Sequence, residues 1–259
     1  MSVLNALIVA FGIIVAYFSL FFIVGTRIKN NSIVDMGWGL GFVIPTVVLY
    51  FFSGQTDPQF ILMFLVSFWG LRLTYHLVKR NWGKPEDFRY KLWRRQWKEK
   101  VNIIAFQRVY LLQASIMFIV GVPVFVMMNQ SSNEISFNLG SLVALALYFT
   151  GIFFEAVGDS QLKEHRKRNP KELMTSGLWR LSRHPNYFGN SLIWFGISLF
   201  VIIHRPSLWW TIVSPLVMTY ILVFISIPIL ERRMQKKAGW DEYAATTSRF
   251  IPWPTKEKI

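Results

Sequence analysis

Cysteine is absent from the 259 residues, which excludes disulfides, thiolate nucleophiles and cysteine-ligated metals. Charge is scarce: 16% of residues are charged, where a soluble domain carries about 25%. Acidic residues are scarcer still, 14 against 28 Lys and Arg, for a net charge of +14. The four histidines are scattered, and none pairs with a carboxylate at ligand spacing, so no metal site is expected. In place of charge there is apolar surface: 53% of the chain is hydrophobic, 17% is aromatic, and the mean hydropathy is +0.36.

The apolar residues come in seven blocks of bilayer-spanning length. They run from Leu4 to Val24, Ile33 to Phe52, Phe60 to Val78, Ile103 to Met127, Leu139 to Val157, Tyr187 to Ile203 and Leu208 to Ile229. The first has no basic segment before it and no small-residue cleavage site after it, so a retained helix is expected. The fold class is therefore all-α, a polytopic membrane protein of seven helices in one domain spanning 1–259.

The loops alternate in charge. Arg27 and Lys29 lie in the first, a run of bases from Lys79 to Lys100 in the third, another from Lys163 to Arg183 in the fifth, and Arg232 to Lys258 in the tail. The intervening loops carry Asp57, Glu134 and Arg205. By the positive-inside rule the N-terminus lies outside and the C-terminus in the cytoplasm of a multi-pass protein of the cell membrane. That placement absorbs the excess charge, and nucleic acid drops out as a partner. The basic loops also hold Trp82, Phe88, Tyr90, Trp93 and Trp97, and later Trp179, Tyr187 and Phe188. Aromatics in that number point to loops folded onto the membrane surface or over a pocket.

Ionisable residues inside a bilayer cost about 2.5–3.5 kcal/mol each, so those present are candidates for function. They are Asp35, Arg72, Arg108, Glu155, Asp159 and Glu231, all near the basic ends of their helices. Such one-sidedness fits a cavity open to the cytoplasm and disfavours a through-channel. Trp69, Arg72, His76 and Arg80 share one helical face, with Tyr75 beside it. Asp35 precedes alternating Gly37, Gly39 and Gly41, which allow either close helix packing or close approach of a flat ligand. Glu155 and Asp159, four apart, repel unless a cation lies between them.

The densest segment runs from Gly177 to Asn190 and contains Arg180, Arg183, His184, Asn186 and Tyr187 just before a membrane helix. Guanidinium groups, an amide and a helix start suit an anionic ligand at the membrane interface. Arg183-His184-Pro185-Asn186-Tyr187-Phe188-Gly189 resembles the hallmark of the steroid 5-alpha-reductase superfamily of membrane reductases. Asp35 to Gly39, Trp69 to Leu73, Glu86 to Tyr90, Gly158 to Leu162 and Glu231 to Pro252 are similar to its bacterial branch, domain of unknown function 1295. The resemblance implies a cytoplasm-facing cavity for NADPH. A lipid-like enone, steroid-like or isoprenoid, would enter from the bilayer and have its carbon–carbon double bond reduced.

Carried over by motif, Arg89, Asp159, Arg166, Arg180, Arg183, Asn186, Tyr187 and Tyr243 would hold the cofactor. Arg72, Arg80, Tyr90 and His184 join them as cofactor candidates by position. Asp35 and Tyr75 match the residues that grip the substrate ketone and are the catalytic candidates. The Gln-Glu-Leu-Pro pattern of the steroid enzymes is missing, which favours another membrane-borne enone. Two other readings stand beside this one. The first is a methyltransferase using S-adenosylmethionine, of the isoprenylcysteine or phospholipid type. The second is a non-enzymatic lipid-binding relative.

Overall fold

The computed structural model describes residues 2–129 and 138–255. Glu134, Lys256 and Lys258 of the expected loop pattern lie outside the described residues. Among those described the chain is helical throughout, with seven helical stretches long and apolar enough to cross a membrane. They are Val3–Arg27, Asn31–Phe51, Asp57–Asn81, Phe88–Met127, Leu139–Arg168, Pro185–His204 and Pro206–Met234. The protein is an all-α, multi-pass membrane protein. Where the sequence suggests one domain, contacts divide the chain into two compact units, Met1–Ser136 and Phe137–Ile259.

The first unit begins with α1, Val3–Arg27, whose first turn is capped by Ser2 accepting from Asn5 N at 3.1 Å. At 1.5 Å per residue its 25 residues reach about 38 Å, more than the roughly 30 Å of hydrocarbon. Its buried stripe, Ala6, Ala10, Ile14 and Phe18, repeats every four residues. A 3₁₀ turn over Asn31–Gly37 leads into α2, Trp38–Phe51. Next come α3, Asp57–Asn81, and α4, Phe88–Trp97. Lys98, at a left-handed φ of 48°, ends α4. Then α5, Val101–Ala105, passes through a wide π turn, Phe106–Leu111, into α6, Leu112–Met127. The third basic loop is thus largely helix.

Helices α2 and α3 run antiparallel and touch at glycines. A Cβ on Gly39 would strike Gly70 O and Thr74 Oγ1, and one on Gly70 would meet Val43 Cγ2 at 2.5 Å. Helix α6 returns along α1, with Phe11 against Phe118 at 5.2 Å and Phe22 against Tyr110 at 5.4 Å. The buried Gln59 amide closes the far end, donating to Met127 O at 3.1 Å and Met128 O at 3.0 Å. Those are orphan carbonyls of a helix C-terminus, which apolar surroundings would otherwise leave unsatisfied.

The second unit pairs α7, Leu139–Arg168, with α9, Pro185–His204, through a short α8, Leu178–Leu181. The two long helices are antiparallel and in close contact. A Cβ on Gly151 would meet Ile193 N at 2.7 Å, and one on Gly196 would meet Tyr148 N at 2.7 Å. Beyond a 3₁₀ stretch, Pro206–Ile212, α10 covers Val213–Tyr220. A second π turn, Ile221–Ser226, leads to α11, Ile227–Met234. The last helix is α12, Trp240–Thr246.

Candidate functional site

In the first unit the polar residues gather where the 3₁₀ turn meets α4. Asp35 accepts from Tyr90 Oη at 2.8 Å on one oxygen and from Arg89 Nη2 at 3.2 Å on the other. Asp87 caps α4 by accepting from Arg89 N at 3.0 Å and also takes Arg89 Nε at 2.9 Å. Behind Tyr90, Gln113 Nε2 donates to the phenol oxygen at 3.3 Å, and Trp38 Nε1 donates to Gln113 Oε1 at 2.7 Å. Glu86 locks the turn from below: it accepts from Asn31 N at 2.7 Å and binds Arg94 through Nε at 3.0 Å and Nη2 at 2.8 Å. A two-pronged pair of this kind fixes orientation as well as charge. Tyr110 Oη completes it, donating to Asn31 Oδ1 at 3.2 Å.

Tyr90 is 4% exposed, whereas the Asp35 side chain is 26% exposed. The Asp35 side chain is therefore partly accessible while both of its oxygens are bonded. The two catalytic candidates are not joined by hydrogen bonding. Tyr75 is 65% exposed, and its hydroxyl accepts from Lys79 Nζ at 2.9 Å. The phenol beside Asp35 is Tyr90. Helix α3 does set Trp69, Arg72, His76 and Arg80 on one face as the spacing predicts. Trp69 is buried, Arg72 and His76 are half-buried, and Arg80 is exposed, with Nε 3.3 Å from Asn81 Oδ1.

In the second unit the start of α9 forms a knot. Arg183 Nε donates to Glu231 Oε1 at 2.9 Å, and Nη1 donates to Ala244 O at 2.8 Å and Thr247 O at 3.0 Å. Its guanidinium lies 5.5 Å from the Trp240 ring centre, a cation–π distance. Arg249 Nε reaches the other Glu231 oxygen at 3.3 Å. His184 Nε2 is 3.3 Å from Glu231 Oε1, and its ring stacks on Tyr187. Burial holds the His184 pKa below its ordinary value and the Glu231 carboxylate only partly opposes this, so the imidazole is neutral near pH 7. Ser182 Oγ donates to Phe250 O at 2.7 Å, and Tyr243 Oη to Trp179 O at 2.6 Å. Burial also raises the Tyr243 pKa, keeping the phenol protonated as that donor.

Along the α7–α9 seam, Asn186 Nδ2 donates to Asp159 Oδ1 at 3.0 Å and Asn190 Nδ2 to Glu155 Oε1 at 3.4 Å. The repelling carboxylates of α7 are thus each matched to an amide one turn apart on α9. Arg166 and Arg180 are exposed. Lys237 donates to Glu172 O at 2.6 Å. Its pKa is lowered, first by desolvation and then by the charge of Arg166.

Arg183, Tyr243 and Asn186, expected to grip a cofactor, are thus hydrogen-bonded inside the protein. Residues that sequence reasoning left without a role, Glu231, Arg249, Trp240, Gln113 and Trp38, hold the two clusters. Glu231 had a signal as an acid inside an apolar helix and Trp38 lies in the family-like segment Asp35 to Gly39, while Gln113 had none.

An uncharacterized protein of Schizosaccharomyces pombe is 26% identical over 258 residues, covering 86% of this chain and 73% of its own length. No solved structure matches. The family model described as protein of unknown function DUF1295 matches residues 21–248, most of the chain, and the protein belongs to that family.

Proposed function

We propose that the protein is a membrane reductase that uses NADPH to reduce the carbon–carbon double bond of a lipid-like enone, working at the cytoplasmic face of the cell membrane. The observation that carries the reading is the Asp35–Tyr90 couple. A partly exposed carboxyl group is backed by a buried phenol at 2.8 Å and braced by Arg89. With Asp35 protonated, an enone carbonyl docked against it would accept the carboxyl proton from a group fixed in position, the arrangement that stabilises a developing enolate.

The proton assigned to the substrate is that of the Asp35 carboxyl, which leaves a carboxylate already held by the donors Tyr90 Oη and Arg89 Nη2. Gln113, donating to the phenol oxygen at 3.3 Å, would hold Tyr90 in place as one of those donors. NADPH, when bound, would supply the hydride for the β-carbon; the proton on oxygen gives the enol, whose tautomerisation places a proton on the α-carbon and completes the saturated ketone. The residues of the second unit fit its phosphates unequally. Arg166 and Arg180, both exposed, carry the expectation of phosphate binding from the family motif, while Arg183, Tyr243 and Asn186 act by holding the start of α9. Apolar helices around the chemistry would keep water from it.

The test is a titration of the detergent-purified protein with NADPH, NADH and S-adenosylmethionine against melting temperature, followed by NADPH oxidation with a panel of enone lipids. A ligand that binds only the folded state raises the melting temperature as it passes its dissociation constant. A rise with NADPH that Arg166→Ala and Arg180→Ala weaken is expected. Asp35→Asn should keep that rise and lose turnover by about 100-fold or more, the usual contribution of a placed acid. A rise with S-adenosylmethionine alone would replace the reading with a methyltransferase. A flat response to all three, with no enone consumed, would leave a non-enzymatic protein.

A further inference from the structure

Helices α2 and α3 bound an open groove of about 510 Å³ in the first unit, lined by Leu40, Leu71, Thr74, Tyr75, Val78 and Lys79. Its floor is closed. Gly39 rests on Gly70, and Thr74 Oγ1 accepts from Leu40 N at 3.0 Å. Leu71, Tyr75 and Lys79 follow one another every four residues and form one stripe along α3. Leu71 is 54% exposed, so the stripe faces outward. The wall is apolar over its length, and its ammonium comes only in the last turn of α3. There Lys79 Nζ donates to Tyr75 Oη at 2.9 Å and sits 5.1 Å from the ring centre.

We infer that this groove holds one anionic phospholipid, an acyl chain along Leu40, Leu71 and Val78 and a phosphate oxygen on Lys79 Nζ. The inference does not rest on the reductase reading. At roughly 30 Å³ per water-sized group, the volume takes about 17 methylenes, the scale of one chain. An ammonium has three N–H donors, and Tyr75 takes one of them. Lys79 stands with Arg80 at the basic end of its helix, where a membrane phosphate lies, and a phenol at headgroup depth is a usual interfacial companion. A protein helix laid on the same stripe would bury the ammonium without bringing it an anion, which is costly.

Native mass spectrometry of the detergent-purified full chain, titrated with phosphatidylglycerol or phosphatidylcholine, tests the site. Wild type should bind the anionic lipid more tightly. Lys79→Gln should erase that preference by about fivefold, the effect of one basic residue near a charged lipid surface. Leu71→Trp, which fills the groove, should weaken both lipids, while Lys100→Gln, an exposed cation of the same unit, should change neither. Inorganic phosphate should not compete, because the apolar wall supplies part of the binding. Lipid-free melting temperatures equal to wild type show that the variants are folded. Equal binding of the two lipids by wild type, a preference that survives Lys79→Gln, undiminished binding by Leu71→Trp, or displacement by phosphate alone would each overturn the inference.

Discussion

His184 shows how one residue couples charge to folding. It is buried against Glu231, Arg183 and Tyr187, with Arg249 on the far oxygen of Glu231. Its pKa in the folded protein lies below the ordinary 6.5, chiefly through burial. The unfolded chain therefore takes up a proton first as pH falls, and stability drops. The contribution is complete above the unfolded pKa and is lost on descending from it toward the folded one. Between about pH 7 and pH 5 the melting temperature should fall, and His184→Gln, which cannot titrate, should fall by several degrees less. Parallel melting curves for the two proteins would remove His184 as the cause. This role was not legible in the sequence. The Arg183-His184-Pro185-Asn186-Tyr187 run stood out as anion chemistry, but the partner that saturates it, Glu231, lies 47 residues from His184 and no local spacing announces it.

At the scale of elements, the apolar blocks were legible because the bilayer demands about 20 apolar residues in a row. The ends were less so. Phe88–Trp97 is helix although its bases suggest a loop, and α7 continues eleven residues past Val157 to Arg168. Charge ends hydropathy, but it does not end a helix whose backbone bonds still close. The alternating glycines were legible as close packing or ligand approach, and the structure gives the former for Gly39, which meets Gly70. Packing of this kind predicts a graded response. On α9, a Cβ at Gly189 would strike Glu155 N on α7, whereas Gly12 on α1 has nothing within 4 Å. Gly189→Leu should separate α7 from α9 and cost about 1–3 kcal/mol or more, as overpacking does. Gly12→Leu should leave the melting temperature within a degree or so of wild type, since no backbone must move. Thermal melts of the two purified variants compare them directly, and equal behaviour would mean that α7 and α9 are not held by close backbone contact.

The whole molecule is ordered by charge. Its basic residues sit at alternate helix ends: Lys79 and Arg80 close α3, the Lys91 to Lys100 run follows in α4 and beyond, and His165 to Arg168 close α7. Moving such clusters across a membrane is costly, and the positive-inside rule predicts that the ends carrying them stay in the cytoplasm. The chain has no cysteine, and any single cysteine introduced is a unique reporter. Lys100 and Ser207 are both exposed, the first in the basic stretch after α4 and the second in the turn after α9. In intact cells, a membrane-impermeant maleimide should label Ser207→Cys and spare Lys100→Cys, which should react only after the membrane is opened. The reverse pattern would place the Asp35 cluster on the outer face, away from cytoplasmic NADPH. It would overturn the reductase reading without disturbing the seven-helix fold.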